Sequence, residues 1–213
     1  MSAIHSIFYW AAGLVFPSLE DCVAGSLPHQ GASGVNLPAD RRYWDRREAL
    51  ALGNCTGLDF CRDLCHRYGL GQPPKQLERE LVGRLDDALP VGQAVLSLRP
   101  GYAQYLIWDI PRRWAELLHL PPELEAVWPE ECRIFLPESG LDRITPDLFE
   151  YLPRLAGADR AQCLFLDADS RRAAAAVNAR GQGAVIIGPD RLRREFQLRK
   201  MSKEAYCMHT RPQ

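Results

Sequence analysis

The chain lacks most of what marks a membrane, secreted or nucleic-acid-binding protein. No apolar run approaches the ~18–20 residues that a membrane helix needs, and the start has neither the basic residues nor the small-residue cleavage site of a signal peptide. A cytoplasmic location is the default expectation. Net charge is only -1, so no global attraction draws the chain to nucleic acid or an anionic surface. Arginine pairs occur at 41–42, 46–47, 112–113, 171–172 and 193–194, each beside acidic or helix-forming residues, and are expected on solvated helix faces. CxxC pairs are absent, and the seven cysteines (22, 55, 61, 65, 132, 163, 207) are odd in number and irregularly spaced. That pattern fits reduced thiols better than a disulfide framework. Cys61, Cys65 and His66 fall on adjoining turns of one helix, but without CxxC pairs they read as small residues lining it rather than as zinc ligands. Internal repeats and low-complexity tracts are also missing.

What is present is an ordinary globular composition, 46% hydrophobic and 25% charged over 213 residues, enough for one domain or one domain with an insertion. Residues 163–187 (CLFLDADSRRAAAAVNARGQGAVII) read as a buried strand, an acidic turn, an Ala-rich helix, a glycine and a second strand. This is a βαβ unit with its polar groups at the carboxyl end of the first strand, where open α/β sheets place their chemistry. Residues 4–10 (IHSIFYW) predict a buried strand ending in a tight turn. Residues 17–86 have a different texture. A Gly/Pro/Asn-rich loop around 25–39 precedes a helix over Arg46–Leu52, a capping signal at Thr56 and Asp59, an amphipathic run Leu58–Tyr68 ended by Gly69, and a charged helix over Lys75–Leu85.

Further on, the pattern predicts a helix at 91–98, a strand over Ala103–Trp108, and a helix opened by Asp109, Ile110 and Pro111 and running to Leu120. It then predicts a strand at Ile134–Leu136, a helix at Pro146–Leu155, strands at Leu164–Leu166 and Ala184–Ile187, and a frayed tail after Arg199. Strands separated by helices predict a parallel sheet covered on both faces, an α/β fold.

Several of these pieces resemble, in order, the motifs of the haloacid dehalogenase-like (HAD) hydrolase superfamily. Residues 163–187 look like its last motif, an Asp-Asp turn followed by a helix beginning near an Asn or Arg and a glycine before the next strand. Gly53-Asn54-Cys55-Thr56 resembles a helix start found in caps of the family. Arg99-Pro100-Gly101-Tyr102, with the strand ending at Trp108, resembles the second motif, and Gly140 to Phe149 is similar to the third. The resemblance implies a HAD-like Rossmannoid core over residues 1–16 and 87–213, with a helical cap over 17–86.

It also implies where the family's chemistry belongs, and there the sequence departs from it. Tyr9 stands at the position of the nucleophilic aspartate. A phenol of ordinary pKa ~10 is neutral at pH 7 and cannot replace a carboxylate on Mg²⁺. Ala11 stands at the acid/base position and transfers no proton. Trp108 replaces the phosphate-binding hydroxyl residue, and Arg143 the lysine. Of the acidic metal-binding pair, Asp167 remains beside Ala168. Asp21, the nearest downstream carboxylate, is expected in a loop and is a poor substitute nucleophile. Asp167 and Arg143 are expected to form a structural salt bridge. Tyr9 and Trp10 should face opposite sides of their strand, and a retained cleft would be lined from Tyr9, Trp108, Asp109, Arg143, Asp167 and Asp169.

The leading expectation is a non-catalytic pseudoenzyme that binds a small molecule or a protein partner, with no cofactor, with Mg²⁺ disfavoured because Asp167 alone is a weak site, and with no nucleic-acid or membrane partner. A homo-oligomer is compatible with it. The alternatives are a repurposed enzyme using Tyr9, Asp109, Asp167 or Asp169 as acid or base, and a conventional HAD phosphatase or dehalogenase.

Overall fold

The computed structural model describes residues 3–28, 32, 35–98, 100–141 and 145–201. The predicted tail beyond 201 and Arg143 lie outside them, as do Arg99 and residues 142–144 of the second and third motifs.

Strand β1 (Ser6–Trp10) is buried along its whole length, as five consecutive side chains of a strand covered on both faces must be. It is followed by α1 (Leu19–Ser26), capped by the Ser18 hydroxyl, and by α2 (Arg41–Ala51), capped by Asp40. Next come α3 (Gly57–Tyr68) and α4 (Pro74–Leu85). The predicted capping box at Thr56 and Asp59 is formed, and Gly69 closes α3 in the left-handed conformation. After the short α5 (Pro90–Ala94) come β2 (Ala103–Trp108), α6 (Arg112–Ala115), α7 (Pro122–Glu125) and β3 (Arg133–Phe135). The chain continues through α8 (Leu136–Ser139), α9 (Pro146–Leu155), β4 (Cys163–Asp167), α10 (Ser170–Asn178), β5 (Gln182–Val185) and α11 (Pro189–Leu198).

All strands pair in parallel, in the order β3-β2-β1-β4-β5. The predicted α/β class with a covered parallel sheet is therefore what the chain adopts. Strand alternation sorts its two faces. Ile7, Tyr9, Leu106, Trp108, Leu164 and Leu166 join one apolar cluster that continues into Leu50, Phe60, Leu64, Leu77 and Leu81 of the inserted helices. Phe8, Trp10, Ile107 and Phe165 join a second cluster, which contains Leu148 and Phe149 of α9 and Ala176 of α10. Tyr9 and Trp10 thus lie on opposite faces, as the alternation requires. Among the described residues, no helix is long and apolar enough to cross a membrane.

Three local expectations need correction. The helix expected from Asp109 to Leu120 is only the single turn α6: the amides of Leu117 and Leu118 already bond three residues back, to Trp114 and Ala115, and the His119 amide bonds to the Asp86 carboxylate. Asp21, expected in a loop, lies in the first turn of helix α1. Of the arginines expected on solvated faces, Arg47 is buried and Arg172 largely covered, with side-chain exposures of 0% and 12%.

The last βαβ unit is packed tightly enough to need its glycine. A Cβ on Gly183 would sit well inside contact distance of the Ala173 carbonyl oxygen on α10, and a backbone oxygen cannot swing aside. Gly183→Ala is expected to lower stability by about 1–3 kcal/mol. Gly71→Ala, where a Cβ would meet nothing within 4 Å, should change it by less than ~0.5 kcal/mol in the same denaturant titration.

Candidate functional site

Strand order places β1 beside β4, while the chain leaves β1 toward β2 and leaves β4 toward β5. The two loops diverge, and open α/β sheets bind ligands in the crevice at such a switch point. After β1, the Ala11 carbonyl accepts from the amides of Val15 and Phe16, each at 2.9 Å, in a tight turn. That turn passes through Gly13 at φ +80°, a conformation L side chains rarely adopt, and a Cβ there would lie 3.3 Å from the Ala168 Cβ. After β4, the Asp169 amide donates to Asp167 Oδ1 at 2.8 Å, and Asp169 caps α10 by accepting from the Arg171 amide. Between the loops lies a cavity of about 310 Å³, walled by Ala12, Gly13, Ala168, Asp169, Arg171 and Arg172, with Glu20, Asp21 and Trp44 contributed by the inserted helices.

Two guanidinium–carboxylate pairs, each with a buried carboxylate, stand at this carboxyl edge. Asp167 is 2% exposed. Arg172 Nε and Nη2 donate to its two oxygens at 2.5 and 2.7 Å, the bidentate geometry of the strongest charge-assisted bonds. The guanidinium also lies 4.9 Å from the centre of the Trp10 ring, a cation–π contact. Burial pushes the Asp167 carboxyl above the usual carboxylate range, against the pull of Arg172. Burial likewise disfavours the charge on Arg172, but Asp167 more than offsets this and leaves its pKa raised.

The second pair joins the inserted helices to the sheet. Arg47 of α2, fully buried, donates from Nη2 to Asp109 Oδ2 at 2.8 Å, from Nη1 to the Asp109 carbonyl at 3.0 Å, and from Nε to Glu20 Oε1 at 2.9 Å. Burial works against its charge; Asp109 and Glu20 outweigh it and hold the guanidinium pKa above its ordinary value. Asp169, at the rim, is lowered by its hydrogen bond to Arg171.

The residues expected to line a cleft therefore separate. Asp169 and Ala168 line the switch-point cavity, with Asp167 buried just beneath its wall. Tyr9 does not line it. The side chain is wholly buried on the other face from Trp10, edge-on to Trp128, and its hydroxyl donates to Gln104 Oε1 at 2.8 Å, back toward the start of β2. Ala11 is buried in the same cluster. Trp108 packs against Phe16, with ring centres 5.1 Å apart, and faces a different cavity. Asp109 is turned inward onto Arg47. Asp21 does line the cavity, its carboxylate accepting the Ser18 hydroxyl at 2.6 Å. The cation on Asp167 is Arg172; Arg143, expected there, lies outside the described residues.

Both guanidiniums escaped the sequence reading, and each had a signal. The last motif's helix begins near an Asn or Arg, and Arg172 is the second of two arginines in the first turn of α10. Arg47 shares the buried stripe of α2 with Tyr43, Leu50 and Ala51, which is where a solvated arginine would not be placed. Among the described residues no group of three or more His, Cys, Asp or Glu is arranged to hold a metal ion.

Neither a protein-family model nor a curated protein matches this chain. Solved structures do. A HAD family enzyme from Bacteroides thetaiotaomicron superposes with a TM-score of 0.70 at 15% identity, over 88% of this chain and 95% of that one. A HAD-like family hydrolase from Porphyromonas gingivalis gives 0.68 at 16% identity over 100% of both chains. This chain has the HAD fold. An L-2-haloacid dehalogenase from Xanthobacter autotrophicus, with chloropropionic acid covalently bound, gives 0.65 at 15% identity over 99% of this chain and 89% of that one. At such identities the likeness speaks for the HAD fold alone. The Bacteroides enzyme has also been solved in complex with magnesium and inorganic phosphate, so the comparisons lend no support to the expectation that Mg²⁺ is disfavoured.

Proposed function

We propose that this chain is a non-catalytic member of the HAD superfamily, whose switch-point cavity serves binding rather than phosphoryl or halide chemistry. In this reading residues 17–86 act as a cap, held to the core through Arg47. The observation that carries the proposal is the bidentate Arg172–Asp167 pair.

Mg²⁺ demands several oxygen ligands in near-octahedral array, with one or two carboxylates among them. The residues present do not fit it. Both oxygens of Asp167 are engaged by Arg172, and Ala168 has no side-chain oxygen. The Tyr9 hydroxyl is committed to Gln104, and Asp109 Oδ2 to Arg47. Tyr9 is no nucleophile for covalent catalysis: burial raises the phenol well above its ordinary pKa, so no phenolate is available at neutral pH. A repurposed acid/base enzyme draws no support from Asp169, because a carboxylate held below its ordinary pKa by Arg171 is a poor base.

The purified chain is expected to show no Mg²⁺-dependent turnover of p-nitrophenyl phosphate or sugar phosphates, and no heat on titration with millimolar Mg²⁺. Turnover abolished by Asp167→Asn, or by Asp21→Asn at the cavity wall, would overturn the proposal.

A further inference from the structure

A second cavity, of about 220 Å³, opens where β2 and β3 end, and shares no lining residue with the switch-point cavity. Its apolar part is the Trp108 indole and the Phe135 ring, both at strand ends. Its polar part is two guanidiniums, Arg112 and Arg133, with Glu116 and Glu130 beside them.

Two features of this wall are unaccounted for by the fold. Trp108 is 3% exposed, and its indole N–H has no hydrogen-bond partner among the described residues. A buried donor left unmade costs about 1–3 kcal/mol, so such groups call for an explanation. Arg133 is oriented without being used up. Its Nε donates to the Trp128 carbonyl at 2.9 Å, which sets the plane of the guanidinium, while among the described residues its Nη2 has a loose contact of 4.0 Å with Glu125. Arg112 differs: it is bound bidentately by Glu138 and lies 4.1 Å from the centre of the Phe135 ring, which closes that side of the wall.

The geometry points to a second ligand site here, for a small monocarboxylate bearing an aromatic or apolar group. The carboxylate pairs with the fork of Arg133, a geometry guanidinium matches in two parallel bonds. The apolar group lies against Phe135 and the face of Trp108. The volume is below the ~300–1,000 Å³ of drug-sized pockets and corresponds to about seven waters at ~30 Å³ each, which limits the ligand to a small one. A monoanion suits the wall better than a phosphate dianion, because Glu116 and Glu130 would repel the second charge.

Titration of the ¹⁵N-labelled full chain with phenylacetate tests this. The chain has five tryptophans, and Trp108→Phe identifies the Trp108 indole N–H signal. That signal is expected to move saturably with phenylacetate. Phenylacetamide, of the same shape without the charge, should bind at least tenfold more weakly, and so should inorganic phosphate. Arg133→Met should weaken phenylacetate at least tenfold, and Ala115→Leu, which adds bulk to the cavity wall, should abolish the shift while the other indole signals stay in place. If Arg133→Met does not fold, Arg133→Lys, which keeps the charge and loses the fork, is compared with Ala115→Leu. An indole signal unmoved by phenylacetate, moved equally by the amide, or moved equally in the variants overturns the site. Tighter binding of phosphate than of phenylacetate overturns the ligand class.

Discussion

Tyr9→Asp, which puts an aspartate at the position proposed to match the first HAD motif, is expected to unfold the protein rather than confer activity. The Tyr9 side chain is wholly buried in the main apolar cluster, edge-on to Trp128. Removing an aromatic ring from such a site costs about 3–5 kcal/mol. The unpaired carboxylate adds several more, so the sum approaches the ~5–15 kcal/mol that holds a typical domain folded. The penalty should depend on pH in a definite direction. A buried, unpaired carboxyl has its folded pKa raised above the unfolded value, so its neutral form is the one the fold tolerates. Tyr9→Asp should therefore be least unstable near pH 4 and lose stability as pH rises through neutrality, read by chemical denaturation at each pH. Tyr9→Phe removes only the hydroxyl that donates to Gln104 and should cost about 1 kcal/mol. Wild-type-like stability of Tyr9→Asp at pH 7 would show that the phenol is not packed as described.

The second large effect lies at Arg172. Arg172→Met leaves Asp167 buried without its bidentate partner, and breaking a buried pair in this one-sided way costs about 3–5 kcal/mol. Asp167→Asn alone should cost less, because the amide oxygen can keep the bond from the Asp169 amide and the remaining loss is charge pairing. The double variant Asp167→Asn/Arg172→Met should recover a large part of the single loss, with a coupling of about 2–3 kcal/mol in the mutant cycle. Additive losses would mean that Arg172 contributes by packing on Trp10 rather than by neutralising Asp167. Mg²⁺ added to Arg172→Met is a further check: Asp167 freed of its partner is still a single carboxylate, so millimolar Mg²⁺ should stabilise neither the variant nor wild type.

Much of this was legible in the residues, because it depends on local pattern. β1, β2 and β4 announce themselves as β-branched and aromatic runs bounded by turns; α3 carries its own caps, and Pro146 opens α9 where the periodicity begins. α11 was not legible as an element: Leu192 and Phe196 make a thin apolar stripe within an Arg-rich run, and only packing against α5 in the main apolar cluster gives them a partner. The helix expected after Asp109 failed for a related reason. Asp109 reads as a helix cap, but a long-range partner, Arg47, claims its carboxylate, and Asp86 claims the His119 amide further on.

The candidate site divides along the same line. If Tyr9, Ala11, Trp108 and Ala168 match the HAD motif positions as the resemblance implies, their identities alone carry the proposal that carboxylates are missing there, since no side chain acquires a carboxylate by folding. The sequence by itself determined the fold class and the order of the strands along the chain. The strand order across the sheet, the cavity between β1 and β4, and the destinations of Arg47 and Arg172 were decided only in three dimensions. Arginine is a long side chain that reads as solvated in a local window. Whether it bonds to a buried carboxylate depends on groups tens of residues away, as with Arg47 and Asp109, or on a turn that folds it back onto its own strand, as with Arg172 and Asp167.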